Sequence, residues 1–157
     1  MRLLGKDLEL INDHYSQILN ELRGSSFLIT GGTGMINMYL SRVLSHYSNE
    51  YDYDVDIHVR NKNKAEKLLG DIQSEKVRFV SFDLSKKIES EKKWNYILHG
   101  AGLAGNKWFV EKPVDVIEPN VIGTWNLLNY AKCNDNVKRF IMYSSRSVYG
   151  GVKIKEY

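Results

Sequence analysis

Cysteine, proline and long apolar runs are all scarce in this 157-residue chain. Its one cysteine, Cys133, excludes an internal disulfide framework and any multi-cysteine zinc site, and it fits a reducing compartment. With only two prolines, Pro113 and Pro119, little stiffens the loops, and most of the chain is expected in regular elements. No apolar stretch approaches the roughly 20 residues that cross a bilayer. The opening MRLLGKDLEL carries charges where a secretory leader needs its apolar core. These absences together predict a cytoplasmic setting and no membrane. Charge of one sign is lacking too. The 22 basic residues stand among 19 acidic ones for a net charge of +3, which gives no nucleic-acid footprint. His14, His46 and His58 have no ligand-like spacing, so no metal site is expected. At 43% hydrophobic and 26% charged, the composition is that of one folded domain, with room for a small appendage.

What is present is alternation. Leu8, Ile11, Tyr15, Ile18 and Leu22 recur at spacings of three and four, predicting a helix over 6–23 that Gly24 ends. Its stripe packs on the body or pairs with another chain. SSFLIT (25–30) is a short apolar run bounded by turn residues, the mark of a buried strand. A helix through Tyr39, Leu40, Val43 and Leu44 follows. Further strands are predicted at 55–59, 76–82, 94–102 and 137–145, with helices at 64–72 and 114–133. Lys86–Lys93 reads as a solvated charged connection. Five alternations of strand and helix predict an α/β fold, with a parallel sheet covered on both faces. The one boundary falls near Gly24, separating a helical extension (1–24) from the α/β body (25–157).

Between the first strand and its helix stands Thr30-Gly31-Gly32-Thr33-Gly34-Met35-Ile36-Asn37. A glycine loop in that context fits the dinucleotide fingerprint. Gly31 permits the tight turn, and Gly34 lets backbone approach a pyrophosphate with no Cβ in the way. The first N–H groups of the helix, at Met35 and Ile36, then point at phosphate, aided by the helix dipole. The competing reading is a purely structural turn.

TGGTGMI resembles the cofactor loop of the extended short-chain dehydrogenase/reductase family, the NAD-dependent, nucleotide-sugar-modifying epimerases and dehydratases. The likeness runs on across residues 25–150. Asp83-Leu84 resembles the end of the third strand, where the family sets an acidic residue against the adenine amino group. LHGAG (98–102), with Ala101 and Gly102, resembles the strand-four motif beside the cofactor. NVIGTWNLL (120–128) resembles the Asn-Val-x-Gly-Thr helix, which implies that Asn120 orients backbone near the site. Its plainer reading is a first-turn residue after Pro119. FIMYSSRSVYG (140–150) resembles the fifth strand and the catalytic serine after it, which the likeness places at Ser145. The implied fold is a Rossmann-like doubly wound parallel sheet, truncated after about five strands. The implied partners are a dinucleotide and, in an intact form, a nucleotide-sugar.

The sequence departs from that pattern at four places, one of them Ala104, which follows HGAGL where the epimerases often have lysine. Asn37 stands where the family usually has glycine, so it either displaces the helix slightly or uses its amide locally. Arg60 stands where an acidic residue would bind the adenosine ribose; with Lys62 and Lys64 nearby it leans toward NADP, against a solvated basic loop or NAD with Arg60 over the adenine. No credible Tyr-x-x-x-Lys pair follows Ser145, since Tyr149 and Lys153 are separated by two glycines. The chain is therefore expected to lack the catalytic helix and substrate lobe, to be inactive alone, and to self-associate through exposed surface. Whether it is a cut piece, a truncated gene product or a natural non-catalytic remnant stays open. His99 is read either as a cofactor contact or as a structural histidine.

Overall fold

The computed structural model describes residues 5–103 and 105–150. The apolar runs become five strands: β1 (Ser26–Thr30), β2 (Asp54–His58), β3 (Val77–Val80), β4 (Tyr96–His99) and β5 (Arg139–Met142). All pair in parallel, in the order β3-β2-β1-β4-β5. Register brings Thr30 opposite His58 on one side and His99 on the other, so three strands end level. The chain runs outward from β1 to β3, then crosses back to β4. Helices leave β1 and β4 toward opposite faces, and a crevice opens between the two strand ends.

Strand periodicity divides the core. Phe27 and Ile29 of β1 and Val55 and Ile57 of β2 face one side. There they meet Val43, Leu44 and Tyr47 of α2 (Met35–Tyr47) and Ala65 and Leu69 of α3 (Lys62–Leu69). The leading helix α1 (Gly5–Glu21) packs on the same side. Its Leu19 is buried and Leu8 and Ile11 are partly so, while Tyr15 and Ile18 of the expected stripe stay half exposed. Two phenols fasten it: Tyr47 donates to Asn12 Oδ1 at 2.8 Å, and Tyr53 to the Leu19 carbonyl at 2.5 Å. Burial pushes the Tyr53 hydroxyl up to about 12, so it stays a donor.

On the other face Leu28 and Ile97 meet Leu84, Ile88, Trp94, Leu127 and Tyr130. The helix expected over 114–133 spans that face as three pieces: α5 (Pro113–Ile117), a π-helical turn Glu118–Ile122, and α6 (Gly123–Lys132). Pro119 explains the break, because it brings no N–H to the ladder and crowds the preceding turn. The register widens, and Gly123 N–H reaches the Glu118 carbonyl. A short helix α4 (Asn106–Glu111) precedes it and was not anticipated; it has no side-chain N-cap and starts at Gly105 with φ +118.

Asp56 is buried under this second layer at 2% exposure. It is satisfied by Trp94 Nε1 at 2.8 Å, Arg78 Nε at 3.1 Å and Lys92 Nζ at 3.1 Å. Lys92 thus turns inward from a connection that the sequence presented as solvated. Asp54, two residues earlier, reaches the same cations only at 3.4 and 3.8 Å and is half exposed. Removing the buried carboxylate strands an indole N–H and two cations, whereas the outer pair is solvent-screened. Asp56→Ala is therefore expected to lower unfolding free energy in urea by about 3 kcal/mol. Asp54→Ala should cost under about 1 kcal/mol. Equal losses would contradict the assignment.

Candidate functional site

At the ends of β1 and β4 two backbones nearly touch. Gly31 has φ +71, and a Cβ there would lie 2.5 Å from the Gly100 carbonyl oxygen and 2.7 Å from Ala101 N. Only glycine meets both conditions. Gly32 is tight for another reason: a Cβ would fall 2.1 Å from Ile57 Cγ2, so the loop lies flat on β2. Gly34 caps α2 with no side-chain bond, and a Cβ there would approach only the Gly31 carbonyl, at 3.1 Å. It stands exposed where α2 presents its first N–H groups.

Two clefts flank this contact and share Gly31, Gly34 and the wall Gly100–Leu103. The larger, about 1000 Å³, runs past His58, Arg60, Lys64, Asp83 and Leu84. The other, about 610 Å³, runs past Met35, Ile36, Asn120, Ser144 and Ser145. Arg60, Lys64, Asp83 and Leu84 line the first, Met35, Ile36, Asn120 and Ser145 the second, and Ala101 and Gly102 both, whereas Lys62 and Tyr149 line neither. The two clefts, together the trough, meet at a bare-backbone waist.

Arg60 is exposed beside Asn61, whose side chain caps α3 by accepting from Lys64 N at 2.9 Å. Asp83 Oδ1 accepts from Ser85 N at 2.9 Å and Ser85 Oγ at 2.7 Å. Those bonds, with Lys86 nearby, hold the Asp83 carboxyl below its usual range. His58 Nε2 donates to the Phe82 carbonyl at 2.7 Å and so sets the approach to Asp83. Asn120 binds Leu103 twice, accepting its N–H at 2.8 Å and donating to its carbonyl at 3.0 Å. Of its two readings, backbone orientation is the one the geometry displays, and the π-helical turn supplies the angle. Asn37 uses its amide locally: Nδ2 donates to the Thr30 carbonyl at 2.6 Å, at 3% exposure.

Some site contacts carried no signal in the sequence. Buried Thr30 and His99 and partly buried Thr124 form one hydrogen-bonded chain beside the smaller cleft, with Thr30 Oγ1 2.7 Å from His99 Nδ1 and His99 Nε2 2.9 Å from Thr124 Oγ1. Gly100 is closely packed too, since a Cβ would lie 2.5 Å from Asn37 Nδ2 and 2.8 Å from the Tyr143 ring. Tyr149 is exposed on a 3₁₀ turn (Arg146–Tyr149), and Lys153 lies outside the described residues. Among the described residues no cluster of metal-ligating side chains occurs, and no helix is long and apolar enough to cross a membrane.

A five-stranded parallel sheet with a glycine loop at its switch point defines a Rossmann-like cofactor-binding unit. Residues 27–156 match the model of the NAD dependent epimerase/dehydratase family, and the chain belongs to that family. It is 32% identical over 133 residues to the UDP-glucose 4-epimerase of Yersinia enterocolitica, covering 80% of this chain and 38% of that protein. The UDP-N-acetylglucosamine 4-epimerase of Methanobrevibacter ruminantium, solved with UDP-N-acetylmuramic acid, superposes with TM-score 0.67 at 24% identity, over 86% of this chain and 42% of that one. WbmF of Bordetella bronchiseptica, solved with NAD+, gives TM-score 0.63 at 18% identity, over 81% and 38%. The chain thus spans less than half the length of these relatives.

Burial lowers the His99 pKa to about 4 and the His58 pKa below its usual value. Both therefore bind protons more readily in the unfolded chain. Their stabilising contribution is complete above about pH 6.5 and is lost as pH falls toward 4. Urea unfolding at pH 7.5, 6 and 5 is expected to show stability declining at each step. A flat or rising profile across that window would contradict it.

Proposed function

We propose that this chain is the NAD(P)-binding part of an oxidoreductase of the nucleotide-sugar epimerase/dehydratase type. The observation that carries the reading is the waist of the trough. Gly31 and Gly100 leave only backbone there, and Met35 and Ile36 open α2 beside it. A pyrophosphate fits that place and a side chain does not. The adenosine half then falls between Arg60 and Asp83, with Leu84 beneath. The other half falls between Ala101, Gly102, Asn120 and Ser145. A bound nicotinamide would accept hydride from a sugar carbon and return it. Ser145, which lines this half, is the residue we assign to hydrogen-bond the reacting sugar oxygen. That relatives include UDP-sugar 4-epimerases and an NAD+ complex supports this reading.

Arg60 tips the cofactor choice toward NADP. A guanidinium there, with Lys64 on the same wall, suits a ribose 2′-phosphate and lacks the acceptor that an acidic residue would give the 2′-hydroxyl hydrogen. The setting we infer is cytoplasmic.

A second reading, a non-catalytic NAD(P)-binding module, is favoured by the backbone after Tyr149. Gly150 has φ +61, so the 3₁₀ turn Arg146–Tyr149 runs directly into left-handed backbone, where a helix carrying Tyr149 would not continue. The 157-residue polypeptide is accordingly expected to hold cofactor without turnover. Self-association fits its surface: Val114, Ile117, Val121, Trp125 and Leu128 are all exposed, at spacings of three and four along α5 and α6.

Titration calorimetry with NADPH and NADH tests the proposal. NADPH should bind more tightly, and Arg60→Ala should weaken NADPH about tenfold while changing NADH little. Tighter NADH binding overturns the NADP preference, and binding of neither overturns the whole reading. Incubation with UDP-glucose and either cofactor should leave the sugar unchanged; measurable epimerisation would exclude the non-catalytic module.

A further inference from the structure

A proton count along one chain of hydrogen bonds fixes the state of His99. Thr124 Oγ1 lies 2.6 Å from the Asn120 carbonyl oxygen, which can only accept, so the hydroxyl hydrogen goes there. The same Oγ1 is 2.9 Å from His99 Nε2, so Nε2 must supply a hydrogen. At the other end Ala101 N–H donates to Thr30 Oγ1 at 3.2 Å. Thr30 Oγ1 is 2.7 Å from His99 Nδ1 and sends its own hydrogen there. Nδ1 is therefore bare, and the ring is a neutral Nε2–H imidazole. A proton on Nδ1 would give Thr30 Oγ1 two N–H donors and strand its hydrogen, at a histidine only 2% exposed.

What this chain joins is the trough's shared wall. Ala101 is tied through Thr30 to His99, and Thr30 immediately precedes Gly31. Leu103 is tied at both its N–H and its carbonyl to Asn120, whose own carbonyl ends the chain of hydrogen bonds. Gly102 lies between, and a Cβ there would meet Asn120 Oδ1 at 2.5 Å. Both ends of the wall thus connect to one ring, which borders the smaller cleft but is only 2% exposed. The Phe140 ring is tilted beside the imidazole, with centroids 5.9 Å apart.

We propose that His99 is a positioning residue for the bound dinucleotide: held between Thr30 and Thr124 as a neutral Nε2–H imidazole, it sets the Gly100–Leu103 wall against the glycine loop. This rests on the reading of the trough as the dinucleotide site.

The test joins nitrogen-15 NMR of histidine-labelled protein to titration with NADH and NADPH. His99 should show a bare Nδ1 and a protonated Nε2 at pH 7.5. Thr124→Val should shift the Nε2 resonance and weaken cofactor binding about tenfold, with the protein still folded. His99→Leu should weaken binding at least as much, and His99→Gln, which keeps a donor toward Thr124, should recover part of the loss. Thr124→Val keeps the test open if His99→Leu does not fold. An Nδ1–H or charged ring overturns the proposal, as does unchanged affinity in Thr124→Val. Failure of the unsubstituted chain to bind either cofactor is a different result, and strikes the reading of the trough itself.

Discussion

The structure depends on one approach of backbone to backbone. Where β1 and β4 end side by side, Gly31 and Gly100 lie so close that a single methyl would collide with a carbonyl. Everything at the site is arranged around keeping that contact. The sheet order brings the two strand ends together, the positive φ of Gly31 turns the chain away toward α2, and the crossover from β3 delivers β4 on the other side. Because no side chain stands there, backbone N–H groups are the chemistry on offer, and these favour anions.

Two histidines at level strand ends serve the two lobes in parallel ways. His58 ends β2 and reaches the Phe82 carbonyl, fixing the approach to Asp83. His99 ends β4 and reaches Thr30 and Thr124. Burial keeps both rings biased toward the neutral form, and a neutral imidazole can donate on one nitrogen and accept on the other. Burial is handled differently in the middle of β2, where Asp56 is packed against Trp94, Arg78 and Lys92.

The sheet was legible in the sequence because its strands are short apolar runs punctuated by turn residues, and the glycine loop because it follows one such run. Strand ends were overestimated, as at 76–82, where only Val77–Val80 pairs, and at 137–145, where only Arg139–Met142 does. The helix at 114–133 was legible in extent, but its π-helical turn was not, since a proline near a helix start ordinarily costs nothing. Here Pro119 lies seven residues into the helical run that begins at Pro113, and the ladder must widen. The Thr30–His99–Thr124 chain was invisible for another reason. Its members are 69 and 25 residues apart, and a single polar residue at a strand end carries no period. Lys92 could not be told from its solvated neighbours until Asp56, on another strand, was placed beneath it.

Asn37 shows how a local exception can be absorbed. A glycine at this position lets helix and strand approach with nothing between them. Asparagine fills the space instead, and its Nδ2 donates to the Thr30 carbonyl while Gly100 N–H reaches the same oxygen at 3.2 Å. The substitution therefore ties α2 directly to the residue that begins the glycine loop and anchors His99. A Cβ on Gly100 would lie 2.5 Å from Asn37 Nδ2 and 2.8 Å from the Tyr143 ring, so a side chain there requires one of those groups to move. The cost is Asn37 Oδ1, buried with no hydrogen-bond partner among the described residues, a penalty of about 1–3 kcal/mol that one hydrogen bond offsets only in part. The amide nonetheless replaces a van der Waals contact with a directional one. The first turn of α2 is thereby held to the end of β1 by geometry rather than by packing alone.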